Sequence, residues 1–316
     1  MRSRPRTALV LGLFALFTVL AATAPRAARG AEGFAAHLDA VKSALQRGEL
    51  QPGQWIIGTE RQTRLQSLRT VQLDLAPFGW AEGFTMRLAS PAAEDALVAA
   101  GVALAFGRPS IYLVNERKDL PWFLREADLS YPGQVAIIEG TDPLAALQAA
   151  PPVLRPGRSA RDLAQPKCDG FIGCLMSGLT DLQLAEGRTH LLAIDSALRE
   201  YFGCRTSFCE GVRPRSDFSN DHPKDALVRD VAAIRNARRC VFYVYDKEPR
   251  PSGMWVEAGV ALALDHPTVF LTPDVAALPP SLRRAYPTGN ARVQVYGGHA
   301  ELLEVLRRDP TALLTL

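Results

Sequence analysis

The chain has 316 residues, 47% hydrophobic and 22% charged, a composition that excludes a disordered or fibrous protein and suits two globular domains. Its net charge of +3 comes from one end, because residues 1–30 hold five Arg and no acid. Without them, 31 basic residues face 33 acidic ones, so the charge gives no support for nucleic-acid binding, which needs a clustered basic face, and no nucleic-acid partner is expected.

Taken in order, Arg2, Arg4 and Arg6 precede an apolar run from Ala8 to Ala22, followed by small residues. This is the pattern of a secretory signal peptide over residues 1–30, with cleavage before Ala31. The expectation is an extracytoplasmic protein, periplasmic or secreted, with no membrane contact after cleavage; the alternative is a membrane anchor formed by residues 8–24. Residues 31–150 read as a first α/β unit. Phe34 to Gln46 has apolar positions at helical spacing. Trp55–Ile57 and Thr70–Leu75 read as strands, Pro77 to Phe84 as a loop, and Ala92 to Ala105 as a helix. A strand at Ile111, a Pro-bearing segment, a strand over Gln134–Ile138 and a helix over Pro143–Ala149 complete the unit. Residues 151–166, rich in Pro and Arg, read as a linker.

Residues 167–316 read as a second unit. Gly170 to Gly178 is a strand ending in a small-residue turn, and Leu184 to Tyr201 a long helix. Cys204 to Cys209 covers a short second strand. A polar loop over 213–224 leads to a helix carrying Leu227, Val231 and Ile234. The strand Cys240–Tyr245 ends at Asp246. Pro251 and Ser252 signal the start of a helix that runs to Ala263. Thr268–Leu271, a strand near Val293 and a helix over Leu302–Leu306 close the unit.

The two units are related. Ala100-Gly101-Val102-Ala103-Leu104-Ala105 recurs 158 residues later as Ala258-Gly259-Val260-Ala261-Leu262-Ala263. The same offset matches Pro109 with Pro267, Leu120-Pro121 with Leu278-Pro279, Leu124-Arg125 with Leu282-Arg283, and Val135 with Val293. A constant offset over this span marks a tandem duplication. The copies differ where chemistry would sit: Glu257 corresponds to Ala99, and Ser252-Gly253 to Glu94-Asp95.

The alternation of strands and helices predicts an α/β fold of two tandem parallel-sheet units forming an internal pseudo-dimer. In such sheets ligands bind beyond the carboxyl ends of the strands, where Ser177, Gly178, Asp246, Ser252, Gly253 and Glu257 map. Each has a plain structural reading as well. Glu257 suits the helix dipole, Asp230 suits a cap, Asp246 a turn and Trp255 the core. The five Cys form no Cys-x-x-Cys pair. Cys204 with Cys209, and Cys168 with Cys174, are close enough in sequence for disulfides in an exported protein, and Cys240 reads as a buried thiol. His222, beside Asp221 and near Asp225, reads as part of a polar loop; no metal or other cofactor is expected.

Asp230 before Ala237-Arg238-Arg239, the strand ending at Asp246, and Ser252-Gly253 placed before Glu257-Ala258-Gly259 resemble the nucleoside 2-deoxyribosyltransferase family. Relatives of that family hydrolyse the N-glycosidic bond of deoxynucleoside monophosphates. Gly259, Ala261 and Pro267 fit its pattern, while Met254 departs from a Thr-like position. The resemblance covers about 130 residues of the second unit. It implies a TIR-like, flavodoxin-like fold and an N-glycosidase or deoxyribosyl transferase acting on nucleosides or nucleotides. It further implies Glu257 as nucleophile, Asp246 and Asp230 as sugar-binding or proton-donating groups, and substrate contacts from Ser177, Gly178, Ser252, Gly253 and Trp255. A non-catalytic nucleotide- or partner-binding module on the same scaffold is the alternative.

Overall fold

Two five-stranded sheets carry the chain. The structure, a computed structural model, describes residues 32–58, 64–66, 75–88, 94–159, 169–176, 178–212, 221–248, 252–283 and 290–315. The signal-like segment and the expected strand positions 70–74 lie outside them. No helix among the described residues is long and apolar enough to cross a membrane.

The first unit begins with helix α1, residues 32–46. It continues through β1 (Trp55–Ile57), β2 (Arg64–Gln66), α2 (Ala76–Trp80), β3 (Phe84–Leu88), α3 (Glu94–Ala105) and β4 (Ser110–Val114). A short 3-10 turn, Trp122–Leu124, then precedes α4 (Ala127–Ser130), β5 (Val135–Glu139) and α5 (Pro143–Ala149). The strand order is β2-β1-β3-β4-β5. Strands β3, β4 and β5 are parallel, but β1 runs antiparallel to both β2 and β3. The expected parallel sheet is present in β3-β4-β5, and β1 and β2 extend it as antiparallel strands. A parallel β1–β3 pair would need a crossover helix of a dozen residues or so, and the described part of that connection offers only the five-residue α2. Strand β3 was also missed: the Gly and aromatic residues before Phe84 read as loop, while its own residues are almost all buried.

The second unit consists of β6 (Gly170–Cys174), α6 (Asp181–Phe202), β7 (Ser207–Phe208), α7 (Pro223–Arg235), β8 (Arg239–Tyr243), α8 (Gly253–Ala263), β9 (Thr268–Thr272), β10 (Ala291–Val295), α9 (His299–Arg308) and α10 (Pro310–Leu314). Local chemistry sets the ends. Thr180 and Gln183 form a capping box at the start of α6, and Gly203, at φ +64°, ends it in the left-handed region. Ser252 caps α8 by accepting the Met254 N–H at 3.3 Å. The sheet order β10-β9-β8-β6-β7 is fully parallel. Counted within the unit, this is the 2-1-3-4-5 order of flavodoxin-like folds. Helices α6 and α9 pack together on one face, and α7 and α8 on the other.

Helices α3 and α8 join the halves. Every residue of α3 is buried, as expected of a helix that is apolar all round beyond its two leading acids, Glu94 and Asp95. It lies between its own sheet and α8. The closest approach is reciprocal. A Cβ at Gly101 would stand 2.0 Å from the Val256 carbonyl oxygen, and one at Gly259 would stand 2.0 Å from that of Val98. Both relations map onto each other under the 158-residue offset, as in an isologous dimer interface. Hydrogen bonds repeat too. Arg125 binds the Leu120 and Lys118 carbonyls, and Arg283 those of Leu278 and Ala276.

The expected linker is not a loose tether over its first part. Residues 151–159 lack regular structure but return to the first unit, through Arg155 N–H to Gly133 and Gly157 N–H to Gly107. Cys174, Cys204, Cys209 and Cys240 are all thiols, so the Cys204–Cys209 and Cys168–Cys174 pairings are not made. Cys240 is buried as its strand position implied, and Cys168 lies outside the described residues.

Candidate functional site

The cleft with the most chemistry opens where the strand order reverses, between β6 and β8, on the α7–α8 face. Counted out to its open mouth it measures about 680 Å³. Strand β6 supplies Phe171 to Cys174, α7 supplies Arg229 and Asp230, and the start of α8 supplies Ser252, Gly253, Met254 and Glu257. Glu210 and Asp221 complete the polar lining. Trp122 and Phe123 reach in from the first unit, so the cleft is shared between the two halves.

Glycine makes room for the carboxylate. A Cβ on Gly173 would stand 2.9 Å from Glu257 Oε2 and 2.6 Å from the Phe242 ring. The bare backbone there lets the Glu257 side chain lie against the floor of β6. Glu257 is the fifth residue of α8, and the first turn of that helix holds no acid. Its position answers the cleft rather than the helix dipole. Asp230 lies in the interior of α7, so it is no cap. A Cβ on Gly253 would meet Phe123 at 2.9 Å, which fixes the close seam between the helix start and the first unit.

The electrostatics are unbalanced. Four carboxylate residues line the cleft, and Arg229 faces three of them: Asp230 at 3.0 Å, Glu210 at 3.1 Å and Asp221 at 3.3 Å. Its guanidinium also lies 5.8 Å from the Phe208 ring centre. Burial, then the charges of Asp230 and Glu210, push the Glu257 carboxyl well above its usual range, with Arg229 opposing. Burial also pushes Asp230 up to about 7, against the pull of Arg229. A cluster of like charges in a dry cleft cannot all ionise together. The Glu257 and Asp230 carboxyls thus both hold their protons more tightly than free carboxyls do. Burial raises the Cys174 thiol well above its usual value, and Cys209 and Glu257 add to this, so it is a neutral wall of the cleft rather than a thiolate.

Of the residues expected at the site, Glu257, Asp230, Ser252 and Gly253 come together in this cleft. Asp246 is half-buried just beyond β8, accepts the Glu248 N–H at 3.2 Å, and does not line it. Gly178 is exposed, with φ at +78°, and also lies outside the lining. Ser177 lies outside the described residues. Trp255 is corrected: its side chain is fully buried in the core and offers a ligand no surface. One residue before it, Met254 lines the cleft instead.

Sequence reasoning missed Arg229, Glu210, Asp221, Gly173 and the aromatic pair Trp122–Phe123. Arg229, adjacent to Asp230 on one helix, carried a visible signal. The aromatic pair carried none, since nothing local says that it meets the other half. The described residues bring one set of metal-ligand type together, Glu186, His190 and His299, away from this cleft. The α/β fold with a parallel sheet and a shared cleft at its switch point defines the class of protein. No family model, curated protein or solved structure matches the chain.

Proposed function

We infer that the cleft cleaves N-glycosidic bonds of nucleosides or nucleotides, as a hydrolase or a deoxyribosyl transferase, with Glu257 at the anomeric carbon. The observation that carries this reading is the Glu257–Asp230 pair: two carboxyl groups in one cleft, each raised by burial and by its neighbours. Breaking the bond leaves its electron pair on the base and positive charge on the sugar carbon. The base then needs a proton, and the carbon needs a carboxylate. A pair that shares one proton supplies both. The proton follows the departing base, and the pair gains its full negative charge as the sugar becomes cationic. Glu257 then bonds to the carbon or shields it until water or an acceptor arrives. Arg229 favours the charged form of Asp230, so the proton rests on Glu257 before the substrate enters; it then passes across the pair to Asp230 and on to the departing base, which frees Glu257 as the carboxylate that meets the carbon. Trp122 and Phe123 offer an aromatic wall for the base, so the first unit serves as a partner that lacks the carboxylate itself. An exported location remains part of this proposal, on the signal-like N-terminus.

A non-catalytic nucleotide-binding module on the same scaffold is the second reading. It is favoured by Met254, a buried thioether where the resembled family carries a Thr-like group. Base release from a panel of nucleosides, nucleotides and NAD, by the wild type and Glu257→Gln, separates the two. Release by the wild type that falls at least about 1,000-fold in the variant supports the enzyme. Equal release by both, or none by either, leaves the binding module.

A further inference from the structure

Glu186 and His190 stand four residues apart on α6, so they share one face of that helix. His299 opens α9, which packs beside α6. The three side chains converge, with one ligand atom from each lying within 4.8 Å of the others. They lie on the opposite face of the second unit's sheet from Glu257. Side chains alternate along β8: Phe242 faces Gly173 on the cleft side, and Tyr243 faces His190.

The Tyr243 hydroxyl satisfies His190 Nδ1 at 2.7 Å, whereas the contacts of His299 Nδ1 to that hydroxyl and to His190 are long, at 3.5 and 3.4 Å. His190 Nδ1 and His299 Nδ1 point at one another across 3.4 Å, beyond the normal length of a hydrogen bond from nitrogen. Their rings stack at 4.8 Å between centres. Two nitrogen ligands bound at about 2.0–2.1 Å to a tetrahedral ion stand about 3.4 Å apart, which matches the observed separation. The surroundings have the form of an outer shell. Tyr245 donates its hydroxyl to Glu186 Oε2. The Tyr243 hydroxyl lies 2.7 Å from His190 Nδ1 and 3.5 Å from His299 Nδ1, so an entering ion would displace it from between the two nitrogens. Glu186 is exposed, His299 is half-buried and His190 is buried, which gives an ion a way in and a closed floor.

We propose that Glu186, His190 and His299 bind a divalent transition-metal ion, with two imidazole nitrogens and one carboxylate oxygen as ligands. The donor set suits zinc, and imidazole nitrogens do not suit magnesium or calcium. Three protein ligands leave one position open, and the ion would tie α6 to α9 at the carboxyl edge of the sheet. This site stands apart from the Glu257 cleft and does not rest on the activity proposed for it.

The test is zinc titration of the chelator-stripped full chain by calorimetry, with cobalt(II) absorption as a geometric readout. The wild type is expected to take up one zinc per chain, to give the intense visible bands of four-coordinate cobalt, and to ignore magnesium. His299→Ala is expected to weaken zinc at least about 100-fold. Glu186→Gln, at an exposed position that leaves folding intact, should weaken it about 10-fold. His222→Ala, at an exposed histidine just before α7, should change nothing. No saturable zinc uptake by the wild type overturns the proposal, as does uptake unchanged in both His299→Ala and Glu186→Gln.

Discussion

Asp95 accepts two hydrogen bonds from Ser281, one from its backbone N–H at 2.8 Å and one from its hydroxyl. This contact crosses between the halves. Under the 158-residue offset its counterpart is Gly253 against Phe123. The two ends of the pseudo-symmetric interface thus meet different fates. At the start of α3 a buried carboxylate and a serine close the seam. At the start of α8 a glycine and an aromatic ring border an open cleft. A duplicated scaffold has kept its packing and divided its chemistry.

That seam makes a direct prediction. Asp95 Oδ1 takes both bonds, while Oδ2 is buried without a hydrogen-bond partner. Ser281→Ala removes the hydroxyl and leaves the carboxylate less satisfied in a dry setting. The expected loss is about 1–3 kcal/mol, read as a lower urea midpoint with an unchanged slope. A midpoint equal to that of the wild type would show that the bond carries no stability.

Glu94, one residue earlier, predicts a pH effect. Burial, then the neighbouring Asp95, raise its carboxyl from 4.5 to about 7, with Arg283 opposing. Between those values the folded chain keeps a proton that the unfolded chain has released. Stability from this group is therefore lost as pH rises through that window. Glu94→Gln removes the titration. The variant should match the wild type below pH 4.5 and exceed it above pH 7, by up to about 3 kcal/mol. Thermal melts of both proteins across this range check it, and parallel curves would refute the assignment to Glu94.

Much of this architecture was legible in the sequence, and the reasons differ by element. The α8 segment announced itself through the Ser252 cap and its flanking strands, and the repeat marked which of its residues were shared scaffold. Hydrophobic periodicity identifies residues that face inward, yet it does not name their partners. Trp255 and Met254 are both apolar and adjacent, and only the packing of α8 decides which of them sees the cleft. The direction of β1 depended on what joined it to β3, a question of crossover length rather than composition. Arg229 gains its meaning from Glu210 and Asp221, which reach it and its helix neighbour Asp230 from outside α7. His190 and His299 were invisible as a pair because 109 residues separate them.

The helix seam gives a prediction that needs no functional assumption. Gly101→Ala and Gly259→Ala each drive a methyl group onto a carbonyl of the opposite helix, at 2.0 Å before relaxation. Backbone cannot step aside as a flexible side chain would, so α3 and α8 must part. Each variant should lose about 1–3 kcal/mol or more, by similar amounts because the two contacts are equivalent. Urea denaturation of both single variants tests this. A large loss in one and none in the other would break the reciprocity.

The aromatic wall gives the prediction that ties the two halves to one activity. Trp122 belongs to the first unit, is 42% exposed, and lines the cleft of the second. Truncating it should spare the fold, because no buried cavity is opened. If the ring stacks on the base of a bound substrate, its loss removes about 1–3 kcal/mol of binding, roughly 5- to 150-fold. The Glu257–Asp230 pair is untouched, so Trp122→Ala should raise KM with little change in kcat. Steady-state kinetics on the best substrate of the nucleoside panel measures the split. An unchanged KM would remove the first unit from the binding site and leave it as scaffold.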